Sequence, residues 1–161
     1  DFLKQHPPFQ FMDQPDLVAL AARGRVKFHE PGEYICWQSS PHTPFLFVIQ
    51  QGAVSLWDES VDPPTLRDIR GVGDSIGIER FNGSPASLHS AKTASEVVVY
   101  ALLAADLEPL LASYPRAAQY VAAQFYAAGL RPAGDEGSFL QKVPLLSVKP
   151  AGNVPTETLN V

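Results

Sequence analysis

The chain reads as a mainly β domain with flanking helices, a sandwich, roll or barrel of short strands. Three observations carry this reading. Between residues 26 and 103, short β-rich runs alternate with turn formers; before them lies a short capped helical pattern; after residue 103 the apolar spacing becomes helical.

The first element is a short helix in which Asp13 or Asp16 can cap the N-terminus, with Pro15 acceptable near the start and Gly24 past the end. It carries Leu17, Leu20 and Ala21. The β region is punctuated by Glu30-Pro31-Gly32, Ser40-Pro41, Gln51-Gly52, Asp62-Pro63-Pro64, Gly71 and Gly73-Asp74. The runs 45–50 and 53–57 around Gln51-Gly52 read as a hairpin, because glycine supplies the positive φ of a tight turn. Further strands are expected at 65–70, 88–93 and 96–102.

Asp106-Leu107-Glu108 through Leu111 suits a short helix, and Tyr114-Pro115-Arg116 opens a longer one, since proline is favoured at the first helical position. Along it Tyr120, Gln124 and Ala127 share one side, and Val121, Phe125 and Ala128 another. Gly129 or Arg131-Pro132 ends it. With Tyr126, these side chains present more apolar surface than one roll face requires, so a homodimer contact or a downstream domain is expected against helix 116–130. Residues 132–138 are linker-like, and the tail to 161 carries Pro144, Pro150 and Pro155 without a helical period.

Composition bounds the function. At 161 residues the chain has length for one core plus a tail: a domain over 1–130 and a linker with further sequence over 131–161. A net charge of −5 with no Lys/Arg run argues against nucleic-acid partners. The apolar stretch 96–105 is too short to span a membrane, and Asp1-Phe2-Leu3-Lys4 lacks the pattern of a signal peptide. Cys36 is the single cysteine, so no intrachain disulfide forms, and a cytoplasmic setting is expected. Beside Trp37 and with no neighbouring cation, Cys36 reads as an inert thiol.

Three segments stand in order: Pro31-Gly32-Glu33-Tyr34-Ile35, then Phe45-Leu46-Phe47-Val48-Ile49-Gln50-Gln51-Gly52-Ala53-Val54-Ser55-Leu56, then Gly73-Asp74-Ser75-Ile76-Gly77-Ile78-Glu79-Arg80-Phe81-Asn82-Gly83-Ser84-Pro85-Ala86-Ser87. This set resembles the cyclic-nucleotide-binding domain family over residues 11–126. The resemblance implies an eight-stranded, double-stranded β-roll of jelly-roll type with one N-terminal helix, a short helix inside the third segment, and two C-terminal helices. It also implies a non-enzymatic regulatory sensor in which cyclic AMP or cyclic GMP occupancy moves the last helix and biases an attached domain.

In that family the third segment is the phosphate cassette. A buried phosphate needs backbone N–H groups at a helix start, a close approach permitted by glycine, and a cation. Gly77 stands at the glycine of the family's Phe-Gly-Glu signature, with Ile76 for the aromatic, and Gly83-Ser84-Pro85 matches the turn before its arginine. Ala86 stands in the place of that arginine, and Ile78 in the place of the glutamate that holds the ribose. Ser87 keeps a hydroxyl at the following position. Glu79 comes one residue late, rotated by about 100° on a helix, and Arg80 is the stand-in cation on the same turn. The candidate ligand site is therefore Gly77, Ile78, Glu79, Arg80, Ser84, Ala86 and Ser87, with cyclic nucleotide binding weak or lost and another small anion or small molecule as the alternative occupant.

Two other readings compete. A cupin-like enzyme on the same kind of roll needs a His-x-His pair with a later glutamate and histidine, whereas His6, His29, His42 and His89 are scattered singly, so no metal is expected. Ser84 and Ser87 have no His/Asp arrangement for acyl transfer. A purely structural domain would plug its own pocket, with Ile78 and Phe81 as the plugs. Finally, Val143-Pro144-Leu145-Leu146-Ser147-Val148 and Val154-Pro155-Thr156-Glu157-Thr158-Leu159 resemble the start of a CBS domain. That similarity points to bacterial signalling proteins in which a cyclic-nucleotide-like domain precedes a CBS pair and a nucleotidyltransferase domain.

Overall fold

The structure, a computed structural model, describes residues 2–127. The expected tail and the CBS-like segments lie outside the described residues. Two 3-10 turns that the sequence pattern did not announce, Leu3–Gln5 and Phe9–Phe11, open the chain and bury Leu3 and Phe9. Helix α1, Gln14–Ala22, follows Asp13, whose side chain makes no capping bond; Pro15 sits in the first turn, and Leu17 and Leu20 face the core.

Eight strands follow. These are β1 Arg25–His29, β2 Tyr34–Cys36, β3 Phe45–Gln51, β4 Val54–Asp58, β5 Thr65–Arg70, β6 Ser75–Ile76, β7 Ser90–Thr93 and β8 Val97–Leu103. They form two four-stranded antiparallel sheets, ordered β1-β8-β3-β6 and β2-β7-β4-β5. Helices α2, Ala104–Ser113, and α3, Pro115–Ala127, complete the domain. This is the mainly β roll with one α-helix before it and two after it.

One local expectation fails. β3 and β4 are not a hairpin: β3 pairs with β8 and β6, while β4 pairs with β5 and β7. The turn at Gly52 therefore carries the chain from one sheet to the other. Its φ is 92°, and a Cβ there would lie 2.2 Å from the Glu96 carbonyl oxygen, so the crossing packs directly on the β7–β8 turn.

The side chains form two cores. Between the sheets lie Phe47, Ile49, Val54, Val97, Val99 and Ala101. On the other face of the first sheet, Leu46, Val48 and Leu102 pack against Leu17 and Leu20 of α1, Leu107 and Leu111 of α2, and Val121 and Phe125 of α3. Both faces of β3 are buried, which is why its sequence is a continuous apolar run rather than an alternation. Of the side chains on α3 that suggested a partner, Val121 and Phe125 are fully buried within this second core and Tyr120 is half-buried, while the side chain of Tyr126 lies outside the described residues.

Candidate functional site

A cavity of about 730 Å³ opens between the second sheet, the cassette and α3, within the range of small-molecule pockets. β4 and β5 give it Leu56, Asp58, Arg67, Asp68 and Arg70; Asp74 enters from the loop before β6. Gly77, Ile78 and Glu79 of the cassette form another part of the wall, joined by Leu88 and His89 ahead of β7. α3 closes it with Gln124 and Phe125. With Cys36 of β2, the lining groups thus come from six separate stretches of chain that only the fold unites.

The cassette starts at Gly77, whose φ of 96° turns the chain from β6 into a 3-10 helix, Ile78–Asn82. Nothing lies within 4 Å of a Cβ placed there, so the glycine serves the backbone conformation and leaves space at the wall. Ile78 is 9% exposed and Glu79 half-buried, and both border the cavity. Glu79 Oε2 accepts the Leu88 N–H at 3.3 Å, which ties the start of the cassette to its end.

The remaining candidates are not among the residues lining this cavity. Arg80 turns to the loop before β3, where Nη1 donates to the carbonyl oxygens of Thr43 at 2.5 Å and Phe45 at 3.2 Å. Burial lowers its affinity for its proton, and the neighbouring Glu79 and Glu108 offset this. The stand-in cation is therefore a clamp on backbone carbonyls. Ser84 Oγ donates to the Ala86 carbonyl at 2.8 Å, and Ala86 bridges to Pro41. Ser87 is 6% exposed, and its backbone exchanges hydrogen bonds with Ser39 and Ser40 at 2.8 and 3.0 Å. These residues fasten the cassette to the β2–β3 loop.

Apart from Glu79, the charges that face the cavity escaped the sequence reading: Arg67, Asp68 and Arg70 on β5, Asp58 on β4, and Asp74. Both guanidiniums are already committed. Arg67 Nη2 donates to Asp58 Oδ2 at 3.1 Å, while Arg70 bonds Asp68 Oδ2 at 2.9 Å and the Ser75 carbonyl at 3.1 Å. Hydrogen bonds from Ser60, then Gln38 and Arg67, hold the Asp58 carboxyl well below the usual carboxylate range, and the Arg70 side chain lowers that of Asp68. Asp74 Oδ2 accepts the Gly71 N–H at 2.8 Å. The one local signal for this wall was the charge-rich pattern of β5, Thr65-Leu66-Arg67-Asp68-Ile69-Arg70, which suits an exposed edge strand.

Cys36 also borders the cavity, but burial raises its thiol pKa and its Sγ contacts the His89 carbonyl at 3.8 Å, so it fits an inert thiol. Among the described residues no three His, Cys, Asp or Glu side chains gather into a metal-binding group. Phe81, one of the two expected plugs, is buried in the helix-side core, and Ile78 lines the wall without filling the void.

The sequence matches no protein-family model and no curated protein. Solved structures do share its architecture. The sensor domain of the transcriptional regulator DNR from Pseudomonas aeruginosa superposes with a TM-score of 0.68 at 13% identity, over 79% of this chain and 90% of that one. The regulatory subunit of a cAMP-independent protein kinase A from Trypanosoma brucei also reaches 0.68, at 21% identity over 78% of this chain. The same kinase's regulatory subunit in a triple mutant, one change of which introduces arginine, is bound to cAMP in the A site and matches with a TM-score of 0.58, at 21% identity over 76% of this chain. The chain spans about half the length of these kinase subunits, 45% and 49%.

The fold is that of the cyclic-nucleotide-binding domains.

Proposed function

We propose that the chain is a non-enzymatic, ligand-sensing regulatory domain on the cyclic-nucleotide-binding fold, in which cyclic AMP and cyclic GMP bind weakly or not at all. The observation that carries this is the commitment of the nearby guanidiniums among the described residues: Arg67 and Arg70 to carboxylates, Arg80 to carbonyls, with Ala86 in the place of the family arginine. Losing a charge-assisted phosphate contact costs about 1.5–3 kcal/mol, or roughly ten- to a hundredfold in affinity. The trypanosome subunit described as cAMP-independent, and its arginine-introducing mutant bound to cAMP, support the same reasoning by analogy.

The regulatory part of the reading rests on α3. Gln124 and Phe125 border the cavity, so a ligand touching them has differential contact with the helix that leads into residues 131–161. The output is then an attached domain, of which the CBS-like segments are the start, in a cytoplasmic signalling protein. Glu79 and Ile78 are the cassette side chains that meet the ligand, and Arg80, Ser84, Ala86 and Ser87 hold the cassette in place.

Isothermal titration with cyclic AMP and cyclic GMP tests this. Affinities weaker than micromolar are expected, and micromolar or tighter binding of either overturns the proposal. Because Ala86 is not on the wall, the rescue places a cation at Leu88. Leu88→Arg combined with Glu79→Gln raises the charge of the lining by two and is expected to tighten cyclic AMP at least tenfold. No gain in a folded variant counts against this cavity as the ligand site.

A further inference from the structure

The cavity's charge balance runs opposite to that of a phosphate site. Four carboxylates line it, Asp58, Asp68, Asp74 and Glu79, against two guanidiniums, Arg67 and Arg70. The Arg67–Asp58 and Arg70–Asp68 pairs neutralise each other at 3.1 and 2.9 Å. Asp74 and Glu79 remain on the wall beside His89, and neither forms an ion pair among the described residues, although Glu79 also feels the Arg80 guanidinium next along the cassette, outside the lining. Each is held at one oxygen by a backbone N–H, of Gly71 and Leu88 respectively, which orients the carboxylate without cancelling its charge. The same space is walled by Leu56, Ile76, Ile78 and Phe125, so it offers an apolar surface beside a lining in which carboxylates outnumber guanidiniums by two.

Given the reading of this cavity as the ligand site, on which this step rests, we infer that it takes a small organic cation: a protonated amine or amidinium carried on an apolar body. An anion entering here meets two carboxylates that no ion pair ties up, while a cation meets two acceptors each held at one oxygen by a backbone N–H. Glu79, one residue past the family's glutamate position, is the principal contact. Gln124 and Phe125 couple that occupancy to α3.

A single ring system in three charge states separates charge from shape: tryptamine, indole-3-acetamide and indole-3-acetate, titrated into the full chain by calorimetry. Tryptamine is expected to bind at least tenfold tighter than indole-3-acetate, with the amide between them, and added salt is expected to narrow the gap. Glu79→Gln is expected to weaken tryptamine at least fivefold while leaving the amide within about twofold, with an unchanged thermal midpoint certifying the fold. If indole-3-acetate or the amide binds as tightly as tryptamine, the inference is overturned and the cavity stands as a ligand site of different preference. If none of the three binds at millimolar concentration, the inference is also overturned; the cyclic nucleotide titration and the Leu88→Arg, Glu79→Gln gain then decide separately whether the cavity is a ligand site.

Discussion

Gly52 and Gly77 share a positive φ, 92° and 96°, yet only Gly52 is also crowded. A Cβ at Gly52 lies 2.2 Å from the Glu96 carbonyl oxygen and 3.0 Å from Ser95 Oγ, whereas one at Gly77 meets nothing within 4 Å. Replacing Gly77 by alanine therefore carries the backbone penalty alone, about 1–2 kcal/mol. At Gly52 the same penalty is joined by displacement of the β7–β8 turn, so Gly52→Ala is expected to lose at least ~1 kcal/mol more. Urea midpoints of the two variants measure this, and equal losses would show that the crossing has room to relax. Arg80 teaches the complementary lesson at this scale. A flexible cation beside a cassette finds the nearest fixed acceptors, and here those are the Thr43 and Phe45 carbonyls rather than a ligand.

At the scale of elements, α3 joins stability to sensing. Ala117, Ala118, Val121 and Phe125 are fully buried on it, and Phe125 touches both the helix-side core and the cavity. Truncating such a ring costs about 3–5 kcal/mol in a closed core. Phe125→Ala is expected near ~3 kcal/mol, because one edge already faces a void. Denaturant unfolding checks it, and a loss under ~1 kcal/mol would mean that α3 is only loosely docked. α1 is fastened in a different way. The Tyr114 hydroxyl, at the α2–α3 junction, donates to the Asp16 carboxylate and accepts the Asp13 N–H at 3.2 Å, and Arg23 pairs with Asp106 of α2 at 2.6 Å. The three helices thus form one layer over the first sheet, and a push on α3 from the cavity is resisted by both of the others.

For the whole molecule, the second sheet holds its loops through carboxylates whose protonation destabilises the domain. Asp58 is lowered by Ser60, Gln38 and Arg67; Glu59 by the Ser90 and Tyr34 hydroxyls; and Asp68 by Arg70. A carboxyl depressed in the folded state contributes stability that is fully present above its unfolded value, near 4, and is lost as pH falls through the folded value. The melting temperature is therefore expected to hold from neutral pH down to about 5 and to fall steeply below about 4. Asp58→Asn is expected to melt lower than the parent at pH 7, with the gap closing below about pH 3. Calorimetric scans across that range test the sign: a gap that stays constant with pH would assign Asp58 a packing role instead.

Much of the architecture was legible in the sequence because it rests on local chemistry. Pro115 starts α3 since its missing N–H is an orphan there anyway, and the β5 boundaries at Thr65 and Arg70 follow from the prolines before and the glycine after. The order of the three family-like segments foretold the roll, and Gly77 was readable as a turn into the cassette. Sheet partnership was not legible. The Gln51-Gly52 turn has the same signature whether its strands pair or part, and the choice was made by β8 and β7, which lie more than thirty residues along the chain and offer β3 and β4 better-buried partners. The site was divided in the same way. Ala86, Ile78 and Glu79 could be recognised in line, but the cavity's charge came from Arg67, Arg70 and Asp74, and the fate of Arg80 from carbonyls before β3. Local propensity is set by each residue and its few neighbours, whereas a pocket's electrostatics depend on which distant side chains neutralise one another, and that only the folded arrangement decides.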